Sequence, residues 1–361
     1  MNRDAMRQAI EAIAWPVVSL IAALGLFGVF VAFYGASPVE AWRLLFVGAF
    51  GDAFSWQNSL QRAAPLMLTA LTVAIPARAG LIVIGGEGAL VVGGLACASV
   101  PYLVALPSGW MGTLILLAAA AVAGALWIAM AGALRQYRGV NETISSLLFG
   151  YIAIALFKHF VEGPMRDPGS LNKPSTFPLA EDLRIGGIGT FDVHWGLAWG
   201  IALCVLGTLW LAFSSHGFAT RVVGGNARTA KLVGLPANAL IITACALGGA
   251  AAGIAGGIEV AAVHMSANAS LIVGLGYAGI LVSFVARHEP IAIIPVAILF
   301  GGFGAAGSLL QRRLGLPDAS IQVLLGMAFV IILASETLRG RLPSMRLAAR
   351  PTPPAVAAAT T

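Results

Sequence analysis

Long apolar stretches recur along this chain, separated by short polar segments. The stretch from Val17 to Phe33, for example, contains no charged side chain. A helix needs about 17 to 25 apolar residues to cross the hydrocarbon core of a bilayer. Only 10% of the residues are charged and 59% are hydrophobic, whereas a soluble domain carries about 25% charged residues. The sequence therefore predicts an all-α integral membrane protein.

The apolar stretches predict about ten transmembrane helices in a single membrane domain over residues 17–338. The predicted spans are 17–33, 63–77, 81–100, 112–134, 144–160, 195–213, 238–258, 271–286, 291–310 and 321–338. The eighth and ninth could instead be re-entrant segments. A shorter helix over 38–50 is expected to lie in the membrane interface, because its apolar residues recur at helical spacing.

The basic residues predict the orientation of the chain. Most of the 21 Lys and Arg residues fall at one set of span ends, which the positive-inside rule assigns to the cytoplasm. Both termini, the N-terminal segment 1–16 and the loop 214–235 are then cytoplasmic, and the long loop 161–194 is external. The Pro- and Ala-rich tail 339–361 is expected to be disordered. Arg312 and Arg313, in a predicted outer loop, oppose this assignment.

The net charge of +6 does not indicate nucleic-acid binding, because the basic residues lie at span ends and form no single patch. The chain contains no Gly-x-x-x-x-Gly-Lys-Ser/Thr sequence, so we expect no ATP-hydrolysis site of its own. Its five His and three Cys residues have no metal-ligand spacing. We therefore expect neither a catalytic residue, nor a metal, nor a cofactor bound by this chain.

The loop 214–235 combines basic residues with helix signals. Asn226 is a suitable N-cap for a short helix over 227–233, and Gly234 followed by Pro236 is a suitable stop. Arg221, Arg228 and Lys231 are its basic residues. The loop is either an ordinary cytoplasmic connection held inside by its charge or a docking element for a soluble partner.

Glu87 is the most unusual residue of the predicted spans, because it lies in the Gly-rich apolar stretch Gly80–Ala89. A carboxylate at mid-membrane costs at least ~2.5 kcal/mol, so it should face protein or water and not lipid. The glycines around it permit close backbone approach or a broken helix. Glu87 either lines a solute path or is hydrogen-bonded to a facing helix.

Three residues near the fifth span are further candidates for a solute path. Asn141 is a plausible helix N-cap and Glu142 an acid favoured in the first turn, so a structural role competes with a path role for both. Tyr151, inside the span, could stack on a flat ring or pack in the core.

Three glycines in the seventh predicted span repeat at four-residue spacing. Gly249, Gly253 and Gly257 lie on one helix face. Small residues at this spacing allow two membrane helices to approach closely. We therefore assign this face to helix packing.

Several of these motifs resemble those of bacterial ABC importer permeases of the nucleoside and simple-sugar type. Gly224-Gly225-Asn226, Ala230 and Gly234-Leu235 resemble the segment that couples such permeases to their ATPase. Gly80–Ala89 is similar to a second motif, although Val83 and Ala89 replace an Asn and a Gln. Asn141–Ser145 resembles a third, and Gly150 replaces a family Asn further along.

The resemblance implies a type II importer-like permease in the bacterial inner membrane, surrounded by lipid. It implies three protein partners: a cytoplasmic ATPase that uses ATP, a second identical or related permease subunit and an external solute-binding protein. The residues implied in ATPase coupling are Arg221, Gly224, Asn226, Arg228, Ala230, Lys231 and Gly234. The residues implied in a solute path are Glu87, Asn141, Glu142 and Tyr151.

Two other functions are compatible with a multi-pass membrane protein. A self-contained secondary transporter would need ionisable residues deep in several spans, and only Glu87 qualifies clearly. A membrane-embedded enzyme would need paired catalytic residues at matching depth, which the sequence does not indicate.

Overall fold

A computed structural model describes residues 3–189, 191–317 and 319–339 of the chain. Most of this part is helical. The helices are α1 (Arg3–Phe33), α2 (Pro38–Phe50), α3 (Ala53–Arg78), α4 (Gly86–Leu103), α5 (Trp110–Arg138), α6 (Glu142–Glu162), α7 (Gly196–Phe213), α8 (Ser215–Gly225), α9 (Ala227–Leu232), α10 (Ala237–Ile258), α11 (Leu275–Val285), α12 (Pro290–Leu314) and α13 (Ser320–Arg339). The predicted disorder of residues 340–361 lies outside the described residues.

Eight of the described helices are long and apolar enough to cross a membrane, namely α1, α3, α4, α5, α6, α7, α10 and α12. This confirms the all-α membrane class. The apolar helices α11 and α13 are shorter. The predicted span 271–286 is broken, because a 3₁₀ turn at Ala269–Leu271 precedes α11, which has 11 residues and a length of about 16 Å. The re-entrant alternative for this segment fits that length.

Three helix starts differ from the predicted boundaries. α1 begins at Arg3, so the predicted N-terminal segment belongs to the same helix as the first span. α3 begins ten residues earlier than predicted, because the Asp52 side chain accepts a hydrogen bond from the Ser55 amide at 2.6 Å. α4 begins only at Gly86, after a non-helical segment over 81–85.

α10 lies at the centre of the helix bundle and packs against α3, α4 and α5 through glycines. A Cβ atom added at Gly249 or Gly253 would collide with the backbone of α5, and one added at Gly257 would lie 3.0 Å from two side chains of α5. This is the face that the sequence assigned to helix packing. On its other sides, Gly248 meets α3 and Gly256 meets α4. Close backbone approach on three sides replaces the side-chain packing of soluble cores.

The segment predicted to be external is folded onto the end of α10. It contains a short antiparallel hairpin of β1 (Gly187–Ile188) and β2 (Phe191–His194). Thr176 and Ala267 exchange two hydrogen bonds of 3.0 Å, and the Leu179 amide donates to the Met265 carbonyl at 2.7 Å. α10 continues here as a π-helix over Glu259–His264.

The first prediction tests the orientation. In a background without Cys97, Cys204 and Cys245, Arg228→Cys and Asp182→Cys each place one thiol at an exposed position. An impermeant thiol reagent should label position 228 only from the cytoplasmic side and position 182 only from the outside, because the basic loop is held inside. Labelling of both thiols from the same side would contradict the assigned orientation.

The second prediction tests the glycine face of α10. Gly253→Ala places a methyl group against the Ala120 carbonyl of α5, and such overpacking should lower the stability of the protein by about 1–3 kcal/mol. Gly25→Ala in α1 is the matched control, since its added Cβ meets no atom within 4 Å. Thermal unfolding in detergent should show a lower midpoint for Gly253→Ala alone. Equal midpoints for both variants would exclude close packing at this face.

Candidate functional site

Glu87 lies in the first turn of α4 and joins this helix to α11. Its side chain is only 1% exposed. One carboxylate oxygen accepts a hydrogen bond from the Gly274 amide at 2.9 Å, and the other accepts one from the Gly276 amide at 2.6 Å. The structure thus shows one of the two alternatives considered for Glu87, namely that it is hydrogen-bonded to a facing helix.

The position of Glu87 explains how a broken helix is tolerated in the bundle. The first amides of a helix have no partner within that helix, and in an apolar environment each unpaired amide is costly. Glu87 supplies two acceptors to the start of α11. Gly274 has a φ of +85°, and an added Cβ at Gly276 would collide with the Glu87 backbone. The carboxylate also lies at the N-terminus of α4, where the helix dipole favours a negative charge.

The non-helical segment 81–85, which precedes Glu87, is hydrogen-bonded to α6. The Thr143 hydroxyl donates to the Ile82 carbonyl at 2.8 Å, and the Ile84 amide donates to the Ser146 hydroxyl at 3.1 Å. The sequence analysis did not single out Thr143 or Ser146. The only signal for them was their place beside Asn141 and Glu142, because hydroxyl side chains often satisfy backbone groups near helix starts.

Two other residues of the predicted solute path, Asn141 and Glu142, are not bonded to Glu87. Asn141 caps α6 by accepting from the amides of Thr143 at 2.9 Å and Ile144 at 3.1 Å. Glu142 is largely buried and lies 3.4 Å from the guanidinium of Arg135. Within the described residues, no hydrogen bond or ion pair joins Glu87 to either of them. Both residues fix the start of α6.

Tyr151 lies further along α6 and is 59% exposed. Tyr277 of α11 is 40% exposed and lies within electrostatic range of both Tyr151 and Glu87. A Cβ added at the neighbouring Gly150 would meet no atom within 4 Å. Two partly exposed tyrosines and an open position therefore lie close to the junction of α4 and α11.

Two short helices form the segment 214–235. Asn226 caps α9 by accepting from the amides of Arg228 at 3.0 Å and Thr229 at 3.1 Å, and Gly234 has a φ of +84°. The predicted cap and stop are confirmed, although α9 ends at Leu232 and not at Val233. The preceding helix α8 was not predicted. Its N-cap is Ser214, whose hydroxyl accepts from the Gly217 amide at 2.8 Å.

α9 presents a mixed basic and apolar surface. Ala230 is fully buried and fixes the helix on the bundle. Arg221, Arg228 and Lys231 are exposed, and Leu232 is 86% exposed. An exposed leucine among basic side chains is suited to contact with another protein, where apolar contact and charge complementarity act together.

Gly224, at the end of α8, packs against the turn that follows α3. A Cβ at Gly224 would collide with the Arg78 carbonyl. Gly224 is helical, and its contribution to this segment is the close approach to that turn.

Arg78 connects the same turn to the turn between α11 and α12. Its Nε and Nη2 atoms both donate to the His288 carbonyl at 3.1 Å, and Nη2 also forms an ion pair with Glu289. Arg287 and His288 have φ values of 54° and 57°, a strained conformation for residues other than glycine. Burial and the nearby Arg78 cation lower the pKa of His288 to about 4. Its neutral ring lies 2.9 Å from the Ser283 hydroxyl.

Comparison with known proteins gives concordant results. Residues 55–333 match the family described as branched-chain amino acid transport system / permease component. The chain is 32% identical to the glucose ABC transporter permease of Haloferax volcanii over 332 residues, which cover 89% of this chain and 87% of the relative. It is 25% identical to the guanosine ABC transporter permease of Bacillus subtilis over 343 residues, covering 90% and 94%. It is also 25% identical to the nucleoside ABC transporter permease of Lactococcus lactis over 355 residues, covering 92% and 93%.

The third prediction concerns Glu87. Glu87→Gln retains one acceptor but turns an amide NH₂ group toward a backbone N–H, so one buried donor loses its partner. This should lower stability by about 1–3 kcal/mol and reduce solute uptake. Glu87→Leu, which removes both acceptors, should reduce both quantities further.

Thermal unfolding and uptake in proteoliposomes measure the two effects. The control is Glu162→Gln at the C-terminal end of α6. It should change neither the unfolding midpoint nor the uptake. Wild-type unfolding and uptake in Glu87→Leu would show that the two hydrogen bonds to α11 are dispensable.

Proposed function

This chain belongs to the branched-chain amino acid transport system permease family, and from that premise we propose that it carries a nucleoside or a simple sugar into the cell. It is a permease subunit of an ABC transporter and not an enzyme. The family implies a partner ATPase that uses ATP, and a substrate-binding protein. The named solutes of its relatives, glucose and guanosine, support the proposed solute class.

The observation that carries the proposal is the pair of helices α8 and α9. The buried Ala230 and the caps at Ser214 and Asn226 hold the pair in a fixed orientation. The exposed Arg228, Lys231 and Leu232 then form the surface on which the ATPase docks. A membrane chain that works alone has no need of such a surface, so this feature favours an ABC permease over a self-contained transporter.

We assign the solute path to the face that carries Tyr151 and Tyr277. Tyrosine rings can stack on a flat base or on a sugar ring, and their hydroxyl groups can bind polar groups of the solute. Glu87 holds the helix ends beside this face, while Asn141 and Glu142 fix the start of α6. The second permease subunit, identical or related, completes the path from the opposite side in the bacterial inner membrane.

The experiment is uptake into proteoliposomes that contain the permease, its ATPase and its solute-binding protein. Radiolabelled guanosine and glucose are offered with ATP inside the vesicles. Uptake of one of them should require ATP and the ATPase. Uptake that persists without the ATPase would favour a secondary transporter, and uptake of neither solute would exclude the proposed solute class.

The fourth prediction tests the docking surface with a matched pair of glycine substitutions. Added side chains at Gly225 and Gly234 both meet open space, but only Gly234 has a positive φ. Gly234→Val should therefore distort the end of α9 and lower ATP-dependent uptake severalfold, whereas Gly225→Val should leave it nearly unchanged.

The charge of the same surface is tested with Arg228→Glu, which should weaken co-purification of the ATPase. Arg138→Glu is the control, because Arg138 is also an exposed cation but belongs to a different helix, α5. Normal co-purification of the Arg228→Glu and Gly234→Val variants, with normal uptake, would exclude α9 as the docking helix.

A further inference from the structure

We propose that Arg78 is the positioning residue through which movement of α8 and α9 reaches the junction of α4 and α11. This inference rests on the proposed function, because it assumes that a partner ATPase moves the two short helices. It assigns to Arg78 a transmitting role, distinct from docking and from solute contact. Three structural connections link α8 to Glu87 through the turn at Arg78.

The first connection joins α8 to the turn after α3. Gly224 lies so close to the Arg78 carbonyl that no side chain fits between them, and a Cβ added at Gly80 would lie 3.1 Å from the Gly224 carbonyl oxygen. Gly80 has a φ of +80°. Two backbones in direct contact, without flexible side chains between them, move together. A displacement of α8 is therefore passed directly to residues 78–80.

The second connection joins that turn to the start of α12 and the end of α11. Two nitrogen atoms of the Arg78 guanidinium donate to one carbonyl oxygen, that of His288, and the same group pairs with Glu289. The planar guanidinium provides this forked geometry, whereas a lysine ammonium provides only a point charge. The fork holds a turn that contains two consecutive non-glycine residues at positive φ. Such a turn persists only when its surroundings constrain it.

The third connection is made by the two segments that lead from Arg78 to Glu87. Along one route, residues 81–85 lead from Gly80 to the start of α4 and are hydrogen-bonded to α6. Along the other, α11 runs from the Arg78-bound turn to Gly274 and Gly276, which bind Glu87. Both routes therefore begin at Arg78 and end at Glu87. A helix transmits displacement along its axis because its hydrogen bonds resist compression, so the two ends are mechanically linked.

The test compares Arg78→Ala, Arg78→Lys and Glu289→Gln in the complete reconstituted transporter. Arg138→Ala is the matched control, because Arg138 lies at the end of another span and does not contact the turn. The measured quantity is solute taken up per ATP hydrolysed, with co-purification of the ATPase as a check on assembly. A residue needed only for folding would lower assembly, hydrolysis and uptake together, and would leave this ratio unchanged.

Arg78→Ala should assemble and hydrolyse ATP but take up about tenfold less solute per ATP, the equivalent of one charged hydrogen bond. Glu289→Gln, which keeps the fork, and Arg78→Lys, which keeps the ion pair, should give intermediate ratios. An unchanged ratio in Arg78→Ala would overturn the inference. If this variant does not assemble, Arg78→Lys decides, since a wild-type ratio there would overturn it as well.

Hydrogen exchange of the purified protein gives a second measurement that does not depend on transport. The amides of residues 286–289 should exchange about tenfold faster in Arg78→Ala than in the wild type or in Arg138→Ala, because the turn loses its clamp. Unchanged exchange would overturn the inference even where transport is not observed. Absence of ATP-driven uptake by the wild type, together with faster exchange in Arg78→Ala, would refute the proposed function and retain Arg78 as the clamp of the turn.

Discussion

The hydrogen bonds from the amides of Gly274 and Gly276 to the Glu87 carboxylate are the interaction on which the interior of this protein depends. A helix that begins inside the bundle exposes backbone donors that neither lipid nor apolar side chains can satisfy. Glu87 satisfies two of them with two oxygen atoms. An isolated carboxylate at this depth is unfavourable, and so is an isolated helix start. The hydrogen bonds between the carboxylate and the amides remove both costs. They also fix the position of α11 relative to α4.

The need to give buried backbone groups hydrogen-bond partners also explains the polar residues around the segment 81–85. This segment forms no helix, so its carbonyl and amide groups need partners from elsewhere in the chain. Thr143 and Ser146 provide them from α6, and Asn141 and Glu142 fix the start of that helix through its cap and the contact with Arg135. Thr143 and Ser146 are thus explained by backbone groups that lie some 60 residues earlier in the chain, whereas Asn141 and Glu142 act on the start of their own helix.

The sequence predicted the existence of most helices, because a run of apolar residues of sufficient length has few alternatives in a membrane. It also predicted the cap and stop of α9, since Asn226 and Gly234 act on neighbouring residues only. It did not predict where α4 and α11 begin. Leu81 to Ile84 are as apolar as the helix that follows, but they form no helix, and two of their backbone groups are hydrogen-bonded to distant residues instead. The helix α8 was missed for a related reason, because Gly224 and Gly225 usually indicate a flexible backbone, whereas here Gly224 permits contact with another turn.

The need for stiff contacts explains why glycine and arginine, and not larger apolar residues, lie between α8 and Glu87. A large side chain at Gly224 or Gly80 would separate α8 from the turn after α3, and flexible atoms between the two would absorb movement. Arg78 meets a different requirement. Here two turns lie apart, and a long side chain has to span the gap between the turn after α3 and the turn before α12. The guanidinium bridges it with a fixed planar geometry and several donors. Movement can therefore pass from α8 to α11 through two kinds of contact, direct backbone packing and a forked hydrogen bond, and both of them are stiff.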